Sequence, residues 1–144
     1  MTAPFIMLVD DEFAFVETMT KRLNVRNIET ITAFSGEEGL EKLKEHQNLD
    51  VIVLDVKMPG MDGLEALKEI KAASPLIEVI MLTGHATVES GIKGMKLGAY
   101  DFLTKPCDIE ELAGKLEEAT NKKRAHETKI KDAESKELLS KYEP

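Results

Sequence analysis

The chain has 144 residues, of which 42% are hydrophobic and 32% are charged, and its formal net charge at pH 7 is −8. This composition is typical of one soluble globular domain, and the negative charge argues against nucleic acid or a membrane surface as a direct partner. With one cysteine, no signal-peptide pattern and no apolar run of roughly 18 residues, the sequence argues against an internal disulfide or a membrane span and predicts a cytoplasmic protein.

Five short apolar runs, typical of buried strands, alternate along the chain with segments of helical period. In chain order the runs are residues 5–9, 28–34, 51–54, 79–82 and 100–103. The apolar positions of the helical segments are Val16, Met19 and Leu23, then Leu40 and Leu43, then Leu64, Leu67 and Ile70, then Val88, Ile92 and Met95, and finally Ile109, Leu112 and Leu116. Strands and helices that alternate in this way predict an α/β fold, in which helices cover both faces of a parallel sheet.

The helices differ in their local signals. Ser35 and Glu38 form a capping-box pattern at the start of the second helix, and Asp108 begins the fifth. Gly91 and Gly94 lie inside the fourth helix, and each costs about 1 kcal/mol of helix stability relative to alanine. These glycines indicate close packing, a helix that simply tolerates them, or a helix that is held loosely enough to shift.

From about residue 118 the sequence becomes strongly charged, with sparse apolar residues at Ile130, Leu138 and Leu139. Lys123 and His126 occupy would-be core positions of the 3-4 pattern there. This favours a solvated helix that frays toward its end over a coiled coil. We therefore divide the chain into a globular domain over 1–117 and a charged, helical tail or linker over 118–144.

Polar side chains follow four of the five predicted strands at the point where each strand ends. They are Asp10 and Asp11, Asp55, Thr83, and Lys105. Each has a plainer interpretation when taken alone, such as Asp55 capping a loop. Because the carboxyl ends of parallel strands meet at one ligand-binding edge, we expect these side chains to form a site there.

The charges of these side chains suggest the chemistry of the site. Carboxylates a few ångströms apart repel one another, and a divalent cation such as Mg²⁺ relieves the repulsion by binding to their oxygens. One carboxylate can then attack phosphorus, while the cation, an ammonium and a hydroxyl neutralise the oxygens of the transferred group.

Four segments, "VDDE" (9–12), "LDVKMPGMDG" (54–63), "TG" (83–84) and "GAYDFLTKP" (98–106), make the chain similar to response-regulator receiver domains of two-component signalling. The resemblance covers residues 5 to about 117. It implies a flavodoxin-like, doubly wound sheet of five parallel strands in the order 2-1-3-4-5, with five helices and a helical C-terminal extension.

By the same resemblance, Asp55 is the phospho-acceptor. Asp11, Asp55 and the main-chain carbonyl of Lys57 bind Mg²⁺, and Asp10 acts through bound water. Thr83 and Lys105 contact the phosphoryl oxygens.

The resemblance also implies a cis peptide bond between Lys105 and Pro106, and a switch made by Thr83 and Phe102. Phosphorylation would change the surface of the fourth helix, fifth strand and fifth helix. Phe102 also has a simpler interpretation, as a buried strand aromatic. Lys57 and His85 hold the variable positions beside the attacking water, and neither offers a carboxylate or carboxamide, so we hypothesise a long-lived phospho-Asp55.

The implied function is a signalling switch that takes a phosphoryl group from a sensor histidine kinase or a phosphotransfer protein. Such a domain catalyses its own phosphoryl transfer and dephosphorylation without being a turnover enzyme. A phosphatase with an aspartate nucleophile is a remote alternative, because Lys57 stands where those enzymes carry a second acid. A constitutive interaction module is another, which the acid, Thr and Lys set argues against. We expect a downstream protein target or a missing output domain, and homodimerisation on phosphorylation; a stand-alone domain and a piece of a longer regulator both fit.

Overall fold

The computed structural model describes residues 3–84 and 87–142, which contain a five-stranded parallel sheet and five helices. The strands are β1 (Phe5–Val9), β2 (Glu29–Ala33), β3 (Val51–Leu54), β4 (Glu78–Thr83) and β5 (Asp101–Thr104). The helices are α1 (Phe13–Val25), α2 (Gly36–Glu45), α3 (Gly63–Ala73), α4 (Val88–Lys96) and α5 (Ile109–Ser140). The strand order is β2-β1-β3-β4-β5, which confirms the predicted fold class.

Helices cover both faces of the sheet, because successive strand residues point to opposite sides. Met7 of β1 packs in one core with Leu67 of α3, whereas the next residue, Leu8, packs in the other core with Leu116 of α5. All four residues of β3 are buried, as expected for a central strand that is covered on both faces.

The helix starts differ in detail from the predicted caps. The Ser35 hydroxyl accepts a hydrogen bond from the Glu38 N–H at 3.1 Å, as expected, but the Glu38 carboxylate accepts from the Phe34 N–H rather than from that of Ser35. At α5, the Asp108 carboxylate accepts from the N–H of Glu110 at 3.0 Å. Each side chain still satisfies one of the unpaired donors in the first turn of its helix.

Helix α4 forms where it is predicted, but its apolar residues face outward. Val88, Ile92 and Met95 are 82%, 51% and 48% exposed, and the only described residue of α4 that is buried is Gly94. A Cβ at Gly94 would lie 3.7 Å from the Phe102 ring. The glycine side of α4 therefore faces the sheet, but 3.7 Å is an ordinary van der Waals distance, so close packing does not require glycine at this position.

Helix α5 is one continuous helix that crosses residue 117 without a break. Lys123, which the sequence pattern treats as solvated, is buried and forms an ion pair with the buried Asp50 at 3.3 Å. Arg124 binds the same carboxylate at 2.9 Å. The predicted division at 117 stays a prediction, while contacts with the sheet continue to Arg124. Over the described ranges, neither α5 nor any shorter helix combines the length with the apolar character that a membrane span requires.

Candidate functional site

Three acids predicted from the strand ends lie together at the carboxyl edge of the sheet. Asp10 follows β1 and Asp55 follows β3, and both are buried, whereas Asp11 is exposed. One carboxylate oxygen from each of the three residues lies within 4.8 Å of the other two. This edge therefore concentrates negative charge.

The register of the sheet sets Asp10 beside Asp55. Strands β1 and β3 pair Val9 with Leu54, so the next residue on each strand is an acid. The Asp55 N–H donates to the Val9 carbonyl at 3.0 Å, which continues the ladder one residue beyond β3. The two buried carboxylates are thus held by the backbone of the two central strands.

Gly63 locks the start of α3 against the strand end that carries Asp55. Its N–H donates to the Val56 carbonyl at 2.7 Å. A Cβ at this position would lie 2.0 Å from the Asp55 carbonyl oxygen, a distance that no side chain tolerates. Only glycine allows this approach, and Gly60, with φ of 78°, makes the turn that leads into it.

Lys105 supplies the positive charge of the site. Its ammonium lies 2.6 Å from Asp10 Oδ2 and 3.5 Å from Asp55 Oδ2. The Lys105 N–H donates to the Thr83 carbonyl at 2.9 Å, and the peptide bond to Pro106 is cis, as predicted. The end of β5 therefore directs this lysine across the ends of β4 and β3 to Asp10.

The pKa values of the site reflect burial and charge together. Burial raises the pKa of the Asp10 carboxyl above its ordinary value, and this outweighs the hydrogen bonds from Lys105 and from the Glu12 N–H. Burial lowers the pKa of Lys105, but the hydrogen bonds to Asp10 and Glu12 and the nearby charges outweigh it, so the net direction is upward. Lys105 therefore stays charged at neutral pH.

Thr83 and Phe102 lie on the neighbouring strands β4 and β5. Thr83 is buried at the last position of β4, in register with Thr104 of β5. Phe102 pairs with Met81 in the same two strands and is half-buried against the glycine side of α4. Their predicted roles as a switch stay predictions.

Of the two residues expected to tune the phosphoryl lifetime, Lys57 lies beside Asp55. Lys57 has an exposed side chain, and its N–H donates to Asp55 Oδ1 at 3.3 Å. The metal-binding role of its carbonyl stays a prediction. His85 lies outside the described residues, so its role stays a prediction as well.

Sequence reasoning missed two members of the site, Glu12 and Phe15. Glu12 Oε1 lies 3.0 Å from the Lys105 ammonium, and the Phe15 ring lies beneath it with its centroid at 4.2 Å. Glu12 belongs to the "VDDE" segment, and Phe15 is four residues after Asp11 at the start of α1. The position of Glu12 directly after two predicted site acids was therefore the available signal for it, and no sequence signal marked Phe15.

The donor set suits a hard divalent cation. Asp10, Asp11 and Asp55 offer only carboxylate oxygens, and Lys105 offsets one of their three charges. Asp10 Oδ1 accepts from the Glu12 N–H at 2.9 Å and Oδ2 from Lys105, so both of its oxygens are engaged. Asp55 Oδ1 and Oδ2 likewise accept from the Lys57 N–H and from Lys105, at 3.3 and 3.5 Å. Carboxylates in this arrangement fit Mg²⁺.

Comparison with protein families gives one match over most of the chain: the family model described as "Response regulator receiver domain" matches residues 6–117. Among solved structures, a response regulator receiver domain protein from Clostridium thermocellum is 36% identical, with a TM-score of 0.81. That alignment covers 85% of this chain and 98% of the other.

Curated relatives are longer proteins. The transcriptional regulatory protein ZraR of Escherichia coli K12 is 38% identical over 114 residues, which are 79% of this chain and 26% of that protein. The DNA-binding transcriptional regulator NtrC of the same organism is 34% identical over 119 residues, which are 83% of this chain and 25% of that protein. The chain thus spans about a quarter of the length of these relatives.

Proposed function

Because this chain belongs to the family of response regulator receiver domains, which are signalling domains, we propose that it is a phosphorylation-controlled switch with Asp55 as the phospho-acceptor. One observation carries the proposal: the buried Asp55 carboxylate lies within 4.8 Å of two other carboxylates and 3.5 Å from an ammonium. A carboxylate that is fixed among groups able to neutralise an incoming phosphoryl group can act as its acceptor. The domain modifies itself and is not a turnover enzyme.

Mg²⁺ is the proposed cofactor. Asp11, Asp55 and the Lys57 carbonyl would hold it, and Asp10 would act through a bound water. When bound, the cation supplies positive charge to the acceptor and to the phosphoryl oxygens. The fit rests on the all-oxygen donor set and on the excess of negative charge at this edge of the sheet.

The phosphoryl group comes from a phosphohistidine of a sensor histidine kinase or a phosphotransfer protein. A carboxylate oxygen of Asp55 attacks phosphorus, an O–P bond forms, and the P–N bond breaks with its electron pair left on the imidazole nitrogen. The Lys105 ammonium and the Thr83 hydroxyl donate to phosphoryl oxygens as charge develops on them. Hydrolysis of the acyl phosphate later restores the Asp55 carboxylate and releases inorganic phosphate.

The output is a change in the face made by α4, β5 and α5. Thr83 moves toward the phosphoryl group, and Phe102 rotates into the space that the movement leaves. The glycine side of α4 leaves room for ring movement, because the nearest Phe102 atoms are 3.7 and 3.9 Å from Cβ positions built at Gly94 and Gly91. This is a local change of charge that biases an element with two arrangements.

The partner of this face is a downstream protein, an output domain or a second copy of the chain. ZraR and NtrC are named as transcriptional regulators, so a regulator of gene expression is one candidate for the whole system. The net charge of −8 argues against direct binding of DNA by this domain.

Sedimentation with and without beryllofluoride, a phosphate mimic, tests for the homodimer. If the protein stays monomeric when beryllofluoride is bound, homodimerisation on phosphorylation is excluded.

The acceptor assignment is tested by labelling with acetyl phosphate in Mg²⁺. Asp55→Asn should abolish labelling, because an amide cannot act as the nucleophile. Asp132→Asn is the matched control, since it is the same substitution on the exposed part of α5. Undiminished labelling of Asp55→Asn would refute the assignment.

The lifetime of phospho-Asp55 is tested with Lys57→Asn, which adds a carboxamide beside the acceptor. Lys57 is the residue whose N–H contacts Asp55 Oδ1, so its exposed side chain starts close to the acyl phosphate. We expect faster decay in Mg²⁺ for the variant than for the parent. Equal or slower decay would contradict the hypothesis of a long-lived phosphoryl group.

A further inference from the structure

The Lys105 ammonium has more anionic neighbours than the proposed phosphoryl chemistry requires. Its three N–H groups face three carboxylates, at 2.6 Å from Asp10, 3.0 Å from Glu12 and 3.5 Å from Asp55. The contact with the proposed acceptor is the longest of the three. In this arrangement the lysine is bound more closely by the two acids of the first loop than by Asp55.

The three carboxylates differ in how easily they can give up the lysine. The side chains of Asp10 and Asp55 are 1% and 3% exposed, whereas that of Glu12 is 61% exposed. A buried carboxylate that loses its partner is strongly destabilised because water does not replace the partner, whereas an exposed carboxylate is hydrated instead. Glu12 is therefore the neighbour from which Lys105 can separate at the smallest cost.

The surroundings of Lys105 also restrict where its ammonium can go. The Phe15 ring covers one side of it, with the centroid at 4.2 Å. The Glu12 N–H donates to Asp10 Oδ1 at 2.9 Å, so the backbone of Glu12 is fixed to the same acid that binds the lysine. If the Lys105 ammonium moves away from Glu12 and keeps its contact with Asp10, it is directed toward its third neighbour, Asp55.

We propose that Glu12 is a positioning residue, which holds the Lys105 ammonium in the unphosphorylated state and competes for it with the phosphoryl group on Asp55. This inference rests on the proposed function of the same site. Phosphorylation adds oxygens at the Asp55 side, and Lys105 then exchanges its contact with Glu12 for a contact with them. Glu12 also places a negative charge beside an incoming anion, so both effects oppose phosphorylation.

The test replaces Glu12 by glutamine, which keeps the size of the side chain and removes its charge. The readout is the affinity for beryllofluoride at saturating Mg²⁺, measured by ¹⁹F NMR, with the Mg²⁺ affinity titrated separately. Glu12→Gln should bind the mimic about two- to fivefold more tightly, the range typical of an exposed ion pair. Glu17→Gln is the matched control, because it makes the same charge change on α1 at a residue that pairs with Lys21 instead.

Salt separates this role from a purely structural one. The gain of Glu12→Gln should shrink toward the control at 1 M salt, where the screening length is about 3 Å rather than the roughly 10 Å of 0.1 M. An affinity equal to that of Glu17→Gln at low salt, a weaker affinity, or a gain that persists in high salt would overturn the inference. If the parent neither binds beryllofluoride nor becomes labelled, the proposed function itself fails, which is a different outcome.

Discussion

Asp11→Asn should stabilise the protein in the absence of Mg²⁺ and remove most of its stabilisation by Mg²⁺. The Asp11 carboxylate lies within 4.8 Å of two other carboxylates. At that separation two unit charges repel by about 1 kcal/mol in water and by about 3.5 kcal/mol at an effective dielectric constant of 20. Asp11 is exposed, so the lower value applies, and Lys105 offsets part of the repulsion from the two neighbours. We expect a net gain of about 1 kcal/mol in the free energy of unfolding.

Mg²⁺ should stabilise the parent more than it stabilises the variant. A ligand at ten times its dissociation constant stabilises the folded protein by about 1.4 kcal/mol, which for a chain of this length raises the melting temperature by about 4 °C. Without the Asp11 carboxylate this increment should fall to a small fraction. Urea unfolding followed by far-UV circular dichroism measures the free energy of unfolding in EDTA and the increment that Mg²⁺ adds to it.

Glu17→Gln is again the control, because it removes one charge from α1 away from the site. The reasoning is refuted if Asp11→Asn is no more stable than this control in EDTA, or if it keeps the full stabilisation by Mg²⁺. Either result would mean that the three carboxylates do not act as one charged cluster.

Three further predictions concern stability. Asp50→Asn should lower the free energy of unfolding by about 3 kcal/mol, because it removes the buried carboxylate that the buried Lys123 and the half-buried Arg124 share; a loss in urea unfolding below about 1 kcal/mol would contradict this. Gly63→Ala should lower it by at least about 2 kcal/mol, since its Cβ would lie 2.0 Å from a backbone oxygen, whereas Gly114→Ala, with no atom within 4 Å, should raise it by up to about 1 kcal/mol. Equal effects of the two alanines in thermal melts would count against the close approach. The raised pKa of Asp10 means that its ionised form costs stability above its folded-state pKa, and that this cost fades as the pH falls through that pKa and is gone below 3.8. In urea unfolding without Mg²⁺, the free energy of unfolding of Asp10→Asn relative to that of the parent should therefore be highest at neutral pH and fall in acid. A difference that instead grows in acid would contradict a raised pKa for Asp10.

Local patterns were sufficient for the sheet and for the strand ends. Strand-like and helix-like segments that alternate along the chain are compatible with few arrangements of a parallel sheet. In each of these arrangements the residue at the end of a buried run lies at the carboxyl edge of the sheet. Asp10, Asp55, Thr83 and Lys105 were predicted in this way, since each lies at the carboxyl end of its strand. The strand order came from the family resemblance.

The spacing of apolar residues does not predict burial or contacts that depend on a residue distant in the sequence. A helical period shows that Val88, Ile92 and Met95 share a side of α4, but it does not show which side meets the sheet. Lys123 is buried because Asp50, 73 residues earlier in the chain, neutralises it. Glu12 and Lys105 are 93 residues apart, and nothing in either segment alone predicts their contact.

The continuity of α5 has a consequence for whatever lies at its far end. The helix is fixed to the sheet as far as Arg124, and the portion beyond extends roughly 24 Å at the usual rise per residue. Each residue of a helix turns the next by about 100°, so the azimuth of Leu138 and Leu139 about the helix axis is set by the number of residues that precede them. Inserting one residue after Arg124 would rotate that end by more than a quarter turn, whereas inserting seven would nearly restore its heading and move it about 10 Å outward. The number of residues in the tail therefore sets the direction that the end of α5 faces as well as its distance from the sheet.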